Sequence, residues 1–412
     1  MNGFTRREWR MILPLSFTGF FENYDYALIS IAAPVIYGGL GVTAARFAGA
    51  VAIIRLASLF AVPVLRLADR WGRRRMLLIS LVVFTVSVGL TATAWSLLAF
   101  MAFQIPARIF LTTEGSLASL VVAEEVRADR RGRAMSLLGF ISQIGFGFAA
   151  LLIPIVKGTV LGWRLYYLLA LAPLFVVGVL RRNIPETTAF DTATAEDRVQ
   201  AGWIPHIERR WWGRVIAAAA FFGLGGAVGT PAFFYAATLA QDTYGWTTRY
   251  TIIVLTSGLA TFAGFMLGGR GSDRLGRRPI MRIGGLLGFT GAIVMFSGGR
   301  WAYAPGWYLM AGGQACITAL AFAYIAELVP TEIRATVTAF IVSCITVGGS
   351  VGLAVSATLI PDHIDDATLM RIFALVGVAG LALTWVLPET VGQDVIAGYD
   401  DEPPVNPTPA VG

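Results

Sequence analysis

Charge is what this chain has least of. Of its 412 residues only 14% are Asp, Glu, Lys or Arg, against roughly 25% in ordinary soluble domains. That shortfall excludes a water-soluble enzyme, a nucleic-acid binder and a secreted disulfide scaffold. There are two cysteines, Cys316 and Cys344, and both fall inside apolar segments. Neither a disulfide framework nor a thiolate metal site follows from them. His206 and His363 lie outside the apolar runs, so imidazole chemistry within a membrane is excluded. No ATPase loop, nucleophile elbow or zinc motif occurs, so covalent catalysis, a metal and a cofactor are all absent from the expectation. Lysine is reduced to Lys157 alone. The other basic residues are arginines in short clusters between apolar runs. That is the arrangement of cytoplasmic loops in a membrane protein and not of a nucleic-acid patch.

What the chain has instead is apolar length. Hydrophobic residues make up 56% of it, in runs near the ~20 residues that cross a bilayer as a helix. Such runs predict helices near 11–38, 47–65, 76–99, 101–123, 135–156 and 163–181. A second set follows near 214–240, 250–268, 280–299, 305–326, 336–360 and 368–387. The expected fold is therefore all-α and integral to the membrane, with twelve spans. Residues 1–181 form a first six-helix bundle, 182–213 a charged central cytoplasmic loop, and 214–390 a second bundle. The acidic, Pro-rich residues 391–412 form a disordered tail. The basic start runs into a long apolar segment carrying Glu22 and Asp25, unlike the short uncharged core of a cleavable signal peptide. It reads as the first span. Counting basic residues by side gives 24 against 6, which places both termini in the cytoplasm.

An internal repeat organises the whole chain. "DRWGRRR" at Asp69 recurs as "DRLGRRP" at Asp273, 204 residues later. Glu124 with Arg131 recurs as Glu327 with Arg334, and "IPET" at Ile184 as "LPET" at Leu387, each 203 residues later. All the copies fall on the same side of the membrane, so the repeat contains six spans. Two parallel six-helix repeats around a central cavity are a secondary-transporter architecture.

At these loops the sequence resembles the major facilitator superfamily, from about residue 11 to 390. The family's signature loop stands here as "LRLADRWGRRR", with Leu65 in place of the opening glycine. The second copy, "GRGSDRLGRR", keeps that glycine at Gly269. "AEEVRADRRGR" and "AELVPTEIRA" resemble the sugar-porter and metabolite–proton symporter branches, and "GFFENYDYALIS" their acidic-aromatic first helix. Two departures stand out: Leu56 follows Arg55 where the symporters have proline, and the fourth span lacks their Gly-rich run. The Gly-Pro pair of the drug–proton antiporters is missing from the fifth span.

The resemblance implies a transporter that is not an enzyme, is monomeric, and resides in a bacterial-type inner membrane. Its partners are a small-molecule substrate, protons and the lipid bilayer, with no nucleic acid. Proton-coupled symport of a small organic anion by alternating access is the leading expectation. A proton antiporter exporting a hydrophobic or drug-like compound and a non-transporting membrane sensor are the alternatives. In the repeated loops Asp69, Arg70, Gly72, Arg73 and Arg74, with Asp273, Arg274, Gly276, Arg277 and Arg278, are candidate gating residues. Charges of both signs at helix ends can latch and release there. Glu124, Arg131, Glu327 and Arg334 suit a second latch. Against both stands the plainer reading of loop arginines that only set topology.

Five charges fall in the interiors of the predicted spans, away from their ends: Glu22, Asp25, Arg55, Arg108 and Glu114. Each costs ~2.5–3.5 kcal/mol at the bilayer centre. At ~1.5 Å rise per residue, Asp25, Arg55 and Arg108 lie roughly 22, 21 and 24 Å from the cytoplasmic end. Matched depth is what pairing requires, and two arginines against one aspartate leave a positive charge for an anionic substrate. A purely structural ion network is the alternative. Asp25, with Glu22 and Glu114 roughly 18 and 15 Å up, are the candidates for carrying a proton. In the second half the neutral groups Phe234, Tyr235, Gln314, Thr318 and Tyr324 are candidates for facing substrate or, equally, for packing.

Overall fold

The computed structural model describes residues 5–126, 128–181, 208–361 and 363–390, and every regular element among them is helical. The first half contains α1 (Arg6–Leu28), α2 (Ala33–Leu40), α3 (Ala44–Ala57), α4 (Ala61–Trp71), α5 (Arg73–Ala92), α6 (Leu97–Glu125), α7 (Ala128–Lys157) and α8 (Arg164–Arg181). The second contains α9 (Arg209–Thr238), α10 (Thr248–Met266), α11 (Ser272–Leu275), α12 (Arg277–Ser297), α13 (Gly299–Glu327), α14 (Thr331–Leu359) and α15 (Asp366–Gly380).

Among the described residues ten helices are long and apolar enough to cross a membrane. The predicted spans 11–38 and 163–181 are not among the ten. The first is divided into α1 and α2 by a turn at 29–32. Pro34 at the second position of α2 accounts for the division, because proline suits the first turn of a helix but not its interior. The second expected span corresponds to α8. α9 starts at Arg209, within the last residues of the stretch expected as the central loop. Trp211 is buried against the second half, and the guanidinium groups of Arg210 and Arg214 lie over its ring at 5.2 and 5.3 Å. Residues 182–207 and 391–412, where the rest of that loop and the tail are expected, lie outside the described residues.

The two halves pack their helices in the same pattern. α1 lies on α7, α5 on α6 and α5 on α8; correspondingly α9 lies on α14, α12 on α13 and α12 on α15. Glycine permits the first of these contacts in both halves. A methyl at Gly145 would fall 2.0 Å from the carbonyl oxygen of Phe20, and one at Gly348 the same distance from that of Gly223. The loop glycines correspond too. Gly72 has φ 97° and ψ 144°, Gly276 φ 102° and ψ 154°, a conformation that side chains with a Cβ rarely adopt.

The apolar core is divided unequally along the long axis. One large cluster draws on both halves, with Phe47, Phe100 and Trp163 from the first and Phe234, Tyr250 and Trp307 from the second. At the end that carries the repeated loops, each half has its own cluster. Met11, Leu77 and Val122 belong to one, and Val215, Ile280 and Leu328 to the other. Among the described residues the halves thus share an apolar core at one end and keep separate ones at the other.

Candidate functional site

The in-membrane charges converge from three helices of the first half. Asp25 on α1 is 2% exposed, and its Oδ2 lies 3.8 Å from Arg108 Nη1 on α6. Arg55, on α3, is 8% exposed and lies over the ring of Tyr26 at 5.3 Å. It is within the electrostatic field of Arg108 but makes no ion pair with an acid among the described residues. Arg55 Nε and Arg108 Nε are both buried without a hydrogen-bond partner there. The depth match read from the sequence therefore corresponds to one loose pair, Asp25–Arg108, with a second arginine beside it.

Below this group are the two glutamates. Glu114 is 1% exposed and accepts a hydrogen bond from Thr18 Oγ1 at 3.3 Å. Glu22 is half-buried and shares the field of Arg108, Glu114 and Asp25. Its Oε2 lies 2.7 Å from where a methyl at Gly115 would be, so α6 makes room for it by having no side chain there.

The second-half candidates divide. Gln314 is exposed, and its Oε1 lies 3.5 Å from where a methyl at Gly229 would be, so it faces α9. Thr318, one turn on, is exposed as well, and its hydroxyl bonds back to Gln314 O. Phe234 and Tyr235 are each 1% exposed and packed into the cluster that joins the halves, Phe234 against Phe47 with centroids 6.2 Å apart. Tyr324 is not brought to the ionic group. It is fully buried at the loop end of the second half, and its hydroxyl donates to Pro388 O at 3.0 Å. A phenol placed by its spacing on a span has its partner in the chain that follows the last helix.

The second copy of the repeated loop is an ionic knot within its own half. Arg277 Nη1 donates to Asp273 Oδ1 at 2.7 Å and to Ser272 Oγ at 2.5 Å. Its Nε and Nη2 engage the two oxygens of Glu327 at 3.1 and 2.7 Å. Such fork-on-carboxylate geometry is the strongest ionic contact available to arginine. Glu327 therefore pairs with Arg277, not with Arg334, whose Nε is buried without a hydrogen-bond partner among the described residues. Arg278 binds the carbonyls of Thr384 and Trp385, while Arg274 makes no ion pair among the described residues. The side chains of Asp69, Arg70, Glu124 and Arg131 lie outside the described set. Arg73 and Arg74 are engaged.

Sequence reasoning missed Glu389. Its carboxylate accepts the backbone N–H of Arg277 at 2.7 Å and of Arg278 at 3.0 Å, closing the N-terminus of α12. The recurrence of "IPET" as "LPET" was the available signal. Tyr26 and Thr230 were missed as well, Tyr26 although it directly follows Asp25.

Known proteins agree with this architecture. The family model described as the Major Facilitator Superfamily matches residues 15–352 and again 250–408. A relative from Cupriavidus pinatubonensis named "Probable 4-methylmuconolactone transporter" is 24% identical over 79% of this chain and 77% of its own length. The proline/betaine transporter of Escherichia coli K12 is 26% identical over 79% of this chain and 71% of its own. Among solved structures, the inward-open xylose transporter XylE of E. coli superposes with a TM-score of 0.75. It covers 94% of this chain and 98% of its own, at 16% identity, a likeness of fold. With a family model spanning most of its length and the helix packing of such a transporter, this chain belongs to the Major Facilitator Superfamily, a family of membrane transporters rather than enzymes.

Proposed function

We propose that the protein is a secondary active transporter that carries a small anionic metabolite together with a proton by alternating access. The observation that carries this reading is Arg55, a buried guanidinium with no acid partner among the described residues, next to an Asp25–Arg108 pair held at 3.8 Å. A buried charge is costly unless paired and hydrogen-bonded, and an entering anion would supply Arg55 with the opposite charge it lacks and Nε with an acceptor. Asp25 is the proton carrier in this reading. An anion that draws Arg108 away weakens the hold on the Asp25 carboxylate and favours its protonation. Proton and substrate then reinforce one another, as symport needs.

Twelve spans in two six-helix repeats, with bundles at 1–181 and 214–390 joined by a cytoplasmic loop, complete the proposal. The matched helix pairings and the paired Gly72 and Gly276 conformations support it. Both termini are cytoplasmic, the membrane is the inner one, and the protein acts as a monomer. The end at which each half keeps its own apolar cluster is the cytoplasmic one in this reading, an arrangement that suits an inward-facing state.

The test is uptake of radiolabelled organic acids by right-side-out and inside-out vesicles, with and without a pH gradient. Accumulation of an acid driven by an inward proton gradient, abolished by a protonophore, is the expected result. Counterflow that ignores the pH gradient overturns the coupling, and transport of neutral analogues at the same rate as acids overturns the anion.

A further inference from the structure

Arg55 belongs to the first half, yet its guanidinium lies against the second. A methyl group at Gly349 of α14 would fall 3.3 Å from Arg55 Nη2 and 2.5 Å from Thr230 Oγ1 of α9. Arg55 and Thr230 therefore meet from opposite halves over a position that carries no side chain. Arg55 is 8% exposed and its Nε has no hydrogen-bond partner among the described residues. The Tyr26 ring covers one face of the side chain at 5.3 Å. A guanidinium carries five N–H donors and no acceptor; Tyr26 answers part of that set, and the donors left over suit a group that is rich in acceptors and negative. Thr230 is half-buried and offers one further donor. Gln314 reaches the neighbouring residue, Gly229.

Resting on the anion reading above, we propose that Arg55, Thr230 and Gly349 form the seat of the substrate's carboxylate between the two halves. Arg55 supplies the charge, the Thr230 hydroxyl donates to the second carboxylate oxygen, and Gly349 leaves the space in which they meet. Neither half holds the complete seat. The bound anion therefore favours conformations in which α3 and the α9–α14 pair stay together, which is the differential affinity a ligand needs to shift a conformational equilibrium. Thr230 is a specificity residue here, and Gly349 a positioning residue that acts through Thr230 first and Arg55 second.

The experiment uses the purified full-length protein and its thermal unfolding in the presence of acetate, lactate, benzoate or phenylacetate, each compared with its amide. Wild type, Thr230→Val, Thr230→Ser and Gly349→Ala are measured side by side. At least one acid stabilises wild type while its amide does not. Thr230→Val and Gly349→Ala then need about tenfold more of that acid for the same shift, and Thr230→Ser stays near wild type. If the acid acts on Thr230→Val and Gly349→Ala as on wild type, the seat is withdrawn and the anion reading stands. If no acid stabilises wild type, or the amides match the acids, the anion reading fails and takes the seat with it. Should Gly349→Ala lose its unfolding transition, the Thr230→Val and Thr230→Ser pair decides alone.

Discussion

Tyr37 of the first half donates its hydroxyl hydrogen bond to the Asp242 carboxylate of the second, 205 residues along the chain. The wide π turn at 239–243 that ends α9 makes this possible, because it carries the chain past the regular helix register. From the same turn Gln241 Nε2 donates to Ile31 O at 2.8 Å, and Tyr37 also reaches Thr238 Oγ1 at 3.3 Å. The halves are tied here by polar contacts as well as by apolar packing.

Tyr37→Phe keeps the ring and removes the bond. A net loss of about 1 kcal/mol corresponds to roughly fivefold faster amide hydrogen exchange in α2 and in residues 239–243. Asp242→Asn should shift the same two segments by less, since an amide oxygen still accepts. Unchanged exchange in both variants means that the contact does not hold this end closed.

Asp25→Asn removes the proposed proton carrier at almost constant volume. Uphill, gradient-driven uptake should disappear while downhill exchange of substrate persists. Arg108→Ala should instead weaken binding of anionic substrates by roughly ten- to a hundredfold, as expected for a lost charged hydrogen bond, with neutral analogues less affected. Accumulation against a gradient by Asp25→Asn would move the coupling role to Glu22 or Glu114.

Glu389→Ala leaves the first N–H groups of α12 without their carboxylate. Loss of a helix cap costs ~1 kcal/mol, and the segment tied down by Tyr324 and Pro388 is loosened with it. The apparent melting temperature of the purified protein should fall by a few degrees, and Glu389→Gln should recover part of the loss. A melting curve for Glu389→Ala that overlays wild type removes the cap from the account.

Asp69→Asn should strongly reduce transport without preventing membrane insertion, because it removes a polar loop partner and no apolar face. In the second copy, Asp273→Asn weakens one of the two carboxylates on Arg277, while Glu327 keeps its bidentate hold. Its effect on transport rate should be the smaller. Full transport by Asp69→Asn, with normal amounts in the membrane, contradicts a gating role for that loop.

Asp365 caps α15 by accepting the Thr368 backbone N–H at 2.8 Å. Hydrogen bonds from Thr368, side chain first, hold its carboxyl below the usual range. A lowered folded-state value means that this stabilisation is full above the unfolded pKa of ~3.9 and fades as pH falls through the folded one. At pH 7 Asp365→Ala should raise exchange at the start of α15 roughly fivefold, the equivalent of ~1 kcal/mol. The difference from wild type should shrink in acid. A difference that does not change with pH would assign the effect to something other than the carboxylate.

Much of this was legible in the sequence. The apolar runs located the helices, with ends off by up to about seven residues and the first run split into α1 and α2, because a run of ~20 apolar residues needs no particular partner to leave water. The repeated Asp-Arg-x-Gly-Arg loops were legible for a similar reason. The conformation at Gly72 and Gly276 belongs to the local backbone, and only glycine adopts it without strain. The five charges in the spans were also visible at once, since each is expensive wherever it ends up.

Partner choice was not legible. Spacing along the chain suggested Glu327 with Arg334, and the structure pairs Glu327 with Arg277 while Glu389 holds the backbone beside it. The family resemblance left Tyr324 open to facing substrate or to packing, and the structure sets its hydroxyl on Pro388. Helix periodicity gave no hint that Arg55 would leave its own half to lie over Gly349 and beside Thr230. Burying an apolar face depends on composition, which the chain carries locally. Ionic and hydrogen-bonded pairing depends on separations of a few ångströms between groups on different helices, and only the assembled tertiary structure sets those.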